Sequence, residues 1–262
     1  MDTPPLSTIE LRHEPGAPVA TLLLDRPDKL NALTPQLLNE VVAACDWLNG
    51  SDDVRVVVVR GAGRAFCAGF DLGAFGEPLG PAAQRDQADL GRRATNALAD
   101  VRPLTIAAVH GHCVGGGVVL TSACDLRLAG DDARFLIPEV DLGIPLAWGG
   151  IPRLVREIGP ALTKELVLTC RPFDAVEARD IRFVNQVVPT DELVATADRM
   201  AAELAEKPWF SIRQTKQHVN AVMDEIAGLG RSTSEADTLI SAMADPESVE
   251  FSRSYLRRRG GR

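Results

Sequence analysis

Apolar and polar positions along the chain alternate between two rhythms. VATLLLD at 19–25 and LTIAAVHG at 104–111 are short apolar runs that predict buried strands, and VRVVVVRG at 54–61 is largely β-branched, the composition of a strand covered on both faces. Between the first and the last of these, the period changes. In PQLLNEVVAACDWLN, residues Leu37, Val41, Ala44 and Leu48 recur on one helical face, and Thr34 before Pro35 gives an N-cap with proline at the first helical position. LRLAG and ARFLIPEV predict two further short strands, while GGGVVLTSACD, WGGIPRLVREIG and PALTKELVLTC predict helices, the last starting at Pro160. From about residue 190 the pattern is almost wholly helical. Strands and helices thus alternate through most of the chain and a helical tail follows, which predicts an α/β protein. GAGRAFCAGFDLGAF reads as a loop of small residues, and the polar Gly/Pro-containing stretch after it, to about residue 90, reads as a mobile segment.

Composition narrows the function classes. The chain has 262 residues, 45% of them apolar and 24% charged, as in an ordinary soluble protein. Its 28 basic and 36 acidic residues give a formal charge of −8, which argues against a nucleic-acid surface. Five cysteines (Cys45, Cys67, Cys113, Cys124, Cys170) follow no metal or disulfide spacing and read as buried reduced thiols. The first residues, MDTPPLSTIELRHE, carry no secretory signature, and no apolar run is long enough to span a membrane. The expectation is a soluble, cytoplasmic protein with neither nucleic acid nor membrane as partner.

The glycines carry the candidate chemistry. HCVGGGVVL at 112–120 holds three in succession, each costly to order, so bare backbone is needed there. Neither VGGGVV nor GAGRAF completes a phosphate-binding or dinucleotide fingerprint, and no nucleophile elbow or zinc motif occurs. His110 and His112 lack ligand partners nearby and read as structural. What remains is a pair of strand-to-loop junctions, AFCAGFDL and HCVGGG, whose small residues leave backbone N–H groups within reach. Two such groups converging on one point form an oxyanion hole, which stabilises charge developing on a carbonyl oxygen. A Pro-Glu pair after a third strand, in ARFLIPEV, adds one carboxylate.

DRPDKLNAL, GRAFCAGFDL, VHGHCVGGG, ACDLRLAG, ARFLIPEVDLGI, GGIPRL and KELVLTCRPFDAVEARDIRFVNQVV together resemble the enoyl-CoA hydratase/isomerase (crotonase) family, in order and spacing, over nearly the whole chain. The resemblance implies a crotonase-like spiral of ββα repeats over residues 1–195. It also implies a helical C-terminal region, 196–262, used for trimerisation, and hence a homotrimer or a hexamer built as a dimer of trimers. The implied ligand is an acyl-CoA thioester, with no cofactor beyond the coenzyme A of the substrate and no metal. Carried over by position, Ala68 and Gly116 match the two oxyanion-hole donors, and Glu139 matches a catalytic glutamate. Leu30, Ala32, Gly69, Phe70 and Asp71, together with Ala68 and Gly116, match the stretches that bind CoA and substrate.

One position departs from the pattern. Hydratases of this family carry a second glutamate three residues after the middle glycine, where this chain has Val119. Water addition uses both carboxylates, whereas moving a double bond from C3 to C2 needs one base that takes a proton at C2 and returns one at C4. The resemblance with this departure therefore implies a Δ3-Δ2-enoyl-CoA isomerase. A hydratase with another second acid, drawn from Asp141 or residues 73–95, is the alternative, and a non-catalytic acyl-CoA-binding protein is the third reading. Val119 and Trp148 are expected to line the acyl pocket, Trp148 having helix-start packing as its competing role and Phe70 core packing. Lys216, Arg257, Arg258 and Arg259 read as a solvated charge run rather than as contacts to CoA phosphates.

Overall fold

The computed structural model describes residues 4–71, 73 and 80–260. Its main sheet has six strands in the order β1 (Ile9–Arg12), β2 (Val19–Leu24), β3 (Val56–Gly61), β4 (Leu104–Val109), β6 (Leu126–Gly130) and β9 (Gln186–Val188). Only the β1–β2 pair is antiparallel; the other neighbours run parallel. A second sheet holds β5 (His112–Val114), β7 (Arg134–Leu136) and β8 (Phe173–Asp174). Isolated bridges extend its pattern, Cys67 pairing with Cys113 and Leu33 with Phe70.

The helices follow in turn: α1 (Pro35–Gly50), α2 (Pro81–Asp100), α3 (Gly116–Ser122), α4 (Gly150–Thr169), α5 (Ala175–Asp180), α6 (Leu193–Ala205), α7 (Trp209–Ala227), α8 (Glu235–Ala244) and α9 (Pro246–Gly260). A repeating unit emerges from that order. A long strand of the main sheet leads to a short extended segment of the second layer and then to a helix: β2, Leu33, α1; β3, Cys67, α2; β4, β5, α3; β6, β7, α4. Each parallel crossover therefore passes through the second layer, and the loops between layers gather on one side.

The apolar patterns explain the packing. Thr34 caps α1, its hydroxyl accepting from the Leu37 N–H at 3.2 Å, and Leu37, Val41, Ala44 and Leu48 are fully buried. Along β3 the valines alternate, Val57 and Val59 entering the main core and Val56 and Val58 a second one. That second core is closed by Leu193, Ala197, Ala201 and Ala205 of α6, so α6 packs on the sheet and the expected division at 195 falls inside it. The two helices expected around Pro160 follow each other without a connecting loop in α4, and Gly159, at φ 76°, marks the kink between them. Two expectations change. The polar stretch to about residue 90 is not all irregular: Pro81 at the first turn begins the twenty-residue α2, while 72 and 74–79 lie outside the described residues. Lys216 is not solvated either. It is buried, with Nζ 2.8 Å from Asp125 Oδ2 and donating at 2.8 Å to the Val101 and Pro103 carbonyls, which pins α7 to the start of β4.

α8 and α9 fold back over their own chain. The Gly149 N–H donates to Glu235 at 2.7 Å, Arg85 pairs with Asp237 at 2.8 Å, and Gly143 lies against the Ser248 carbonyl, where an added methyl would come within 2.3 Å.

Candidate active site

The loops on the shared side enclose a cavity of about 370 Å³ between α2, the start of α3, the segment 138–148 and the returning helices α8 and α9. Ala68, Gly69, Phe70, Gly116, Glu139, Val119 and Trp148 all line it, so seven of the residues expected from the sequence meet in one place. Leu30, Ala32 and Asp71 do not. They belong to a strap outside the cavity wall, in which Arg26 donates to the Ala32 carbonyl and pairs with Asp71 at 3.1 Å. Asn31, which the sequence pattern did not single out, holds this strap: buried and at φ 55°, it accepts from the Arg26 N–H and donates to the Ala62 and Ala65 carbonyls. A buried asparagine at positive φ is a side chain completing a turn.

The second layer sets the register of the two glycine loops. Cys67 donates its N–H to His112 and accepts from Val114, both at 2.9 Å, so the loops leave the Cys67–Cys113 bridge side by side and parallel. Phe70 and Gly116, each three residues beyond the bridge, are the matched positions. The Ala68 N–H donates to the Leu30 carbonyl at 2.9 Å, closing the strap, and this corrects the expectation that Ala68 supplies an oxyanion donor. Leu33 donates to Gly69 at 2.8 Å and accepts from Asp71 at 2.9 Å, which by strand alternation turns the N–H of Phe70 away from Leu33. Gly116 is the first residue of α3, where the helix itself provides no acceptor for the N–H.

Each member of the glycine triplet has its own close neighbour inside the protein. Gly115 has φ 51°, and a Cβ there would stand 2.6 Å from Glu139 Oε1. A Cβ on Gly116 would meet the Trp148 ring at 2.4 Å, and one on Gly117 would meet the Cys67 Cβ at 2.9 Å. The bare backbone is thus required by packing as well as by anything that enters. Trp148, itself at φ 64°, is wedged between Gly116 and Gly91 of α2, where a Cβ would come within 2.0 Å of the indole. Its carbonyl accepts from Thr95 at 3.0 Å, and its ring meets Phe70 edge to face at 6.0 Å. Trp148 thus packs against the start of α3 and lines the cavity.

Glu139 follows β7, and the Gly115 N–H, donated to Leu136 at 2.8 Å, ties that strand to the glycine loop. Its carboxylate accordingly lies against Gly115, one residue from the Gly116 N–H. Glu139 as a residue is partly covered, but its Oε2 is shut off from solvent and has no hydrogen-bond partner among the described residues. Burial pushes its carboxyl up to about 7, only partly opposed by its own backbone N–H. Among the described residues it is the sole carboxylate lining the cavity: Asp141 is exposed and stands outside, and α2 contributes Gln84, Gln87 and Ala88 rather than an acid. Val119, fully buried, presents methyl groups where a second carboxylate was considered. Arg257 is exposed and pairs with Glu250 at 2.8 Å; the side chains of Arg258 and Arg259 lie outside those described. A buried base beside backbone donors suits proton transfer next to a carbonyl.

Comparison with known proteins places this geometry. The family model described as enoyl-CoA hydratase/isomerase matches residues 14–260. The chain is 34% identical over 242 residues to a probable enoyl-CoA hydratase of Mycobacterium bovis, covering 92% of each chain. It is 38% identical over 192 residues to a peroxisomal Delta(3,5)-Delta(2,4)-dienoyl-CoA isomerase of Arabidopsis thaliana, covering 69% of each. Among solved structures, an enoyl-CoA hydratase/isomerase from Xanthobacter autotrophicus superposes with a TM-score of 0.88 at 30% identity, over 97% of this chain and 98% of that one.

Proposed function

The chain belongs to the enoyl-CoA hydratase/isomerase family, and on that footing we propose that it is a Δ3-Δ2-enoyl-CoA isomerase acting on an acyl-CoA thioester. The observation that carries this reading is Glu139, among the described residues the single carboxylate lining the cavity, where Val119 supplies no second acid. The thioester oxygen accepts hydrogen bonds from the Gly116 N–H and from the N–H of Phe70, its partner in register. Glu139 removes a proton at C2, the electron pair shifts toward the thioester oxygen as a dienolate, and the same carboxyl returns the proton at C4. The double bond then stands conjugated between C2 and C3. One base suffices where C2 and C4 present the same face to it, and a carboxyl near pH 7 both takes and gives a proton readily. Leu30, Ala32 and Asp71 remain proposed contacts for the CoA moiety as it runs out along the strap. Assembly as a homotrimer or a hexamer belongs to the same proposal, supported by the exposed Phe210, Val219, Val222 and Ile226 of α7; sedimentation tests it.

The names of several relatives favour hydration as a second reading. That chemistry asks for a second acid from Asp141 or residues 73–95; neither Asp141 nor α2 brings one into the cavity, and 74–79 lie outside the described residues. The deciding experiment incubates the protein separately with a trans-3-enoyl-CoA and a trans-2-enoyl-CoA, following conjugation by absorbance and product by mass. Isomerisation of the first without mass change, and no water added to the second, is the expected result. A gain of one water by the 2-enoyl ester overturns the isomerase reading in favour of a hydratase. Tight binding with no turnover of either leaves an acyl-CoA-binding protein.

A further inference from the structure

The cavity carries hydrogen-bonding groups for which the proton transfer has no use. Apart from the indole of Trp148, its polar side chains among the described residues are Glu139, Tyr255 of α9, and Gln84 and Gln87 of α2. The two glutamines stand three residues apart and so share one helix face, with Ala88 beside them. Both are half-buried, and neither side-chain amide has a hydrogen-bond partner among the described residues. Around them the wall is apolar, built from Val119, Leu142, Ile144, Leu239, Ile240 and Met243.

Their place along α2 sets them off from the Trp148 contact. The indole of Trp148 bridges Gly116 and Gly91. Gln87 precedes Gly91 by four residues and Gln84 by seven, so they stand about 6 and about 10 Å farther along the helix axis. The glutamines thus face the part of the cavity beyond Trp148, away from the thioester oxygen and close to the roof, where the neighbouring Arg85 pairs with Asp237 of α8. Hydrocarbon filling that space would strip both amides of water and give nothing back. A site furnished with uncommitted polar groups discriminates against a ligand that cannot satisfy them.

From this we infer that the acyl group taken by this site bears an oxygen substituent, a hydroxyl or a carbonyl, on the half of the chain distal to the thioester, and that Gln84 and Gln87 hydrogen-bond it. The inference rests on the acyl-CoA reading above but not on the isomerase chemistry.

Calorimetric titration with saturated esters, which the proposed reaction leaves unchanged, keeps the two apart. Hexanoyl-, octanoyl- and decanoyl-CoA are compared with their counterparts hydroxylated or oxidised to a ketone at the penultimate carbon. An oxygenated ester should bind about tenfold or more tightly than the plain one of equal length. The Gln84→Leu/Gln87→Leu variant should abolish that preference while binding plain esters at least as well, and each single variant should lower it part of the way. Equal or tighter binding of the plain esters at every length overturns the inference in the unaltered protein alone, whatever the variants do. A preference that survives both substitutions overturns it equally. Isomerisation of a plain 3-enoyl ester alongside either result leaves the proposed reaction standing.

Discussion

Two carboxylates withdrawn from water, Glu40 and Glu139, have opposite surroundings. Glu40, on α1, receives hydrogen bonds from the backbone of Ser7, Thr8 and Ile9, from the hydroxyls of Ser7 and Thr8, and from the Gln36 amide, at 2.8–3.2 Å. Burial alone would raise its pKa, but these donors, led by the backbone and hydroxyl of Thr8, outweigh it and hold the group below its ordinary value. Glu139 has a buried oxygen, Oε2, with no donor among the described residues, and is pushed up to about 7. The difference teaches that coverage does not make a carboxylate reactive. An acid whose oxygens are all supplied with donors is a fastener, and an acid left wanting a proton is a base near neutrality.

The contrast can be broken most sharply at Glu139. Glu139→Gln should lower kcat/KM for a 3-enoyl-CoA by about 10²–10⁴-fold while leaving the Kd for a saturated ester within about threefold, measured by steady-state kinetics and calorimetry. Gly115→Ala should cost about 10²-fold in kcat, because the new methyl has to displace the Glu139 carboxylate and the φ of 51° becomes strained. Glu40→Ala should do the reverse, lowering stability in urea by about 2–3 kcal/mol as its buried donors lose their acceptor, with kcat per folded molecule unchanged. Acidity sharpens the comparison last. Glu139 has a folded pKa above its unfolded one, so its contribution is fully present below about 4.5 and fades as pH rises through about 7. Relative to Glu139→Gln, the parent protein should therefore lose about 3 kcal/mol between pH 4 and pH 8, while its kcat/KM rises through pH 7. Glu40, with its pKa lowered, contributes above its unfolded pKa and loses that contribution as acid protonates it, so Glu40→Ala should narrow its deficit as pH falls below about 4.5.

Local pattern revealed α1 and β3 because their apolar spacing is complete within one segment, and all the marked residues are buried. The start of α2 is not legible in the sequence, because its first two turns bury nothing and its buried residues begin at Leu90. The glycine loops were legible as a pair, but which N–H faces the site depends on the Cys67–Cys113 register and on Leu30 capturing Ala68, neither of which is written in the loops themselves. The burial of Lys216 is illegible for the same reason: the acid and carbonyls that bury it lie 91 to 115 residues away in sequence. Glu139 itself was visible beside its proline, whereas the emptiness around its Oε2 belongs to the assembled fold.

The indole seated between Gly91 and Gly116 has an evolutionary corollary. Alanine at either glycine collides with Trp148 as long as the ring is there, at 2.0 or 2.4 Å. A lineage that reshapes this pocket must therefore shrink position 148 first and vary the glycines afterwards, because the opposite order passes through a form that cannot pack. Three residues spread over 58 positions of sequence thus travel as one inherited unit, and the size of the chamber is free to drift in only one sequence of steps.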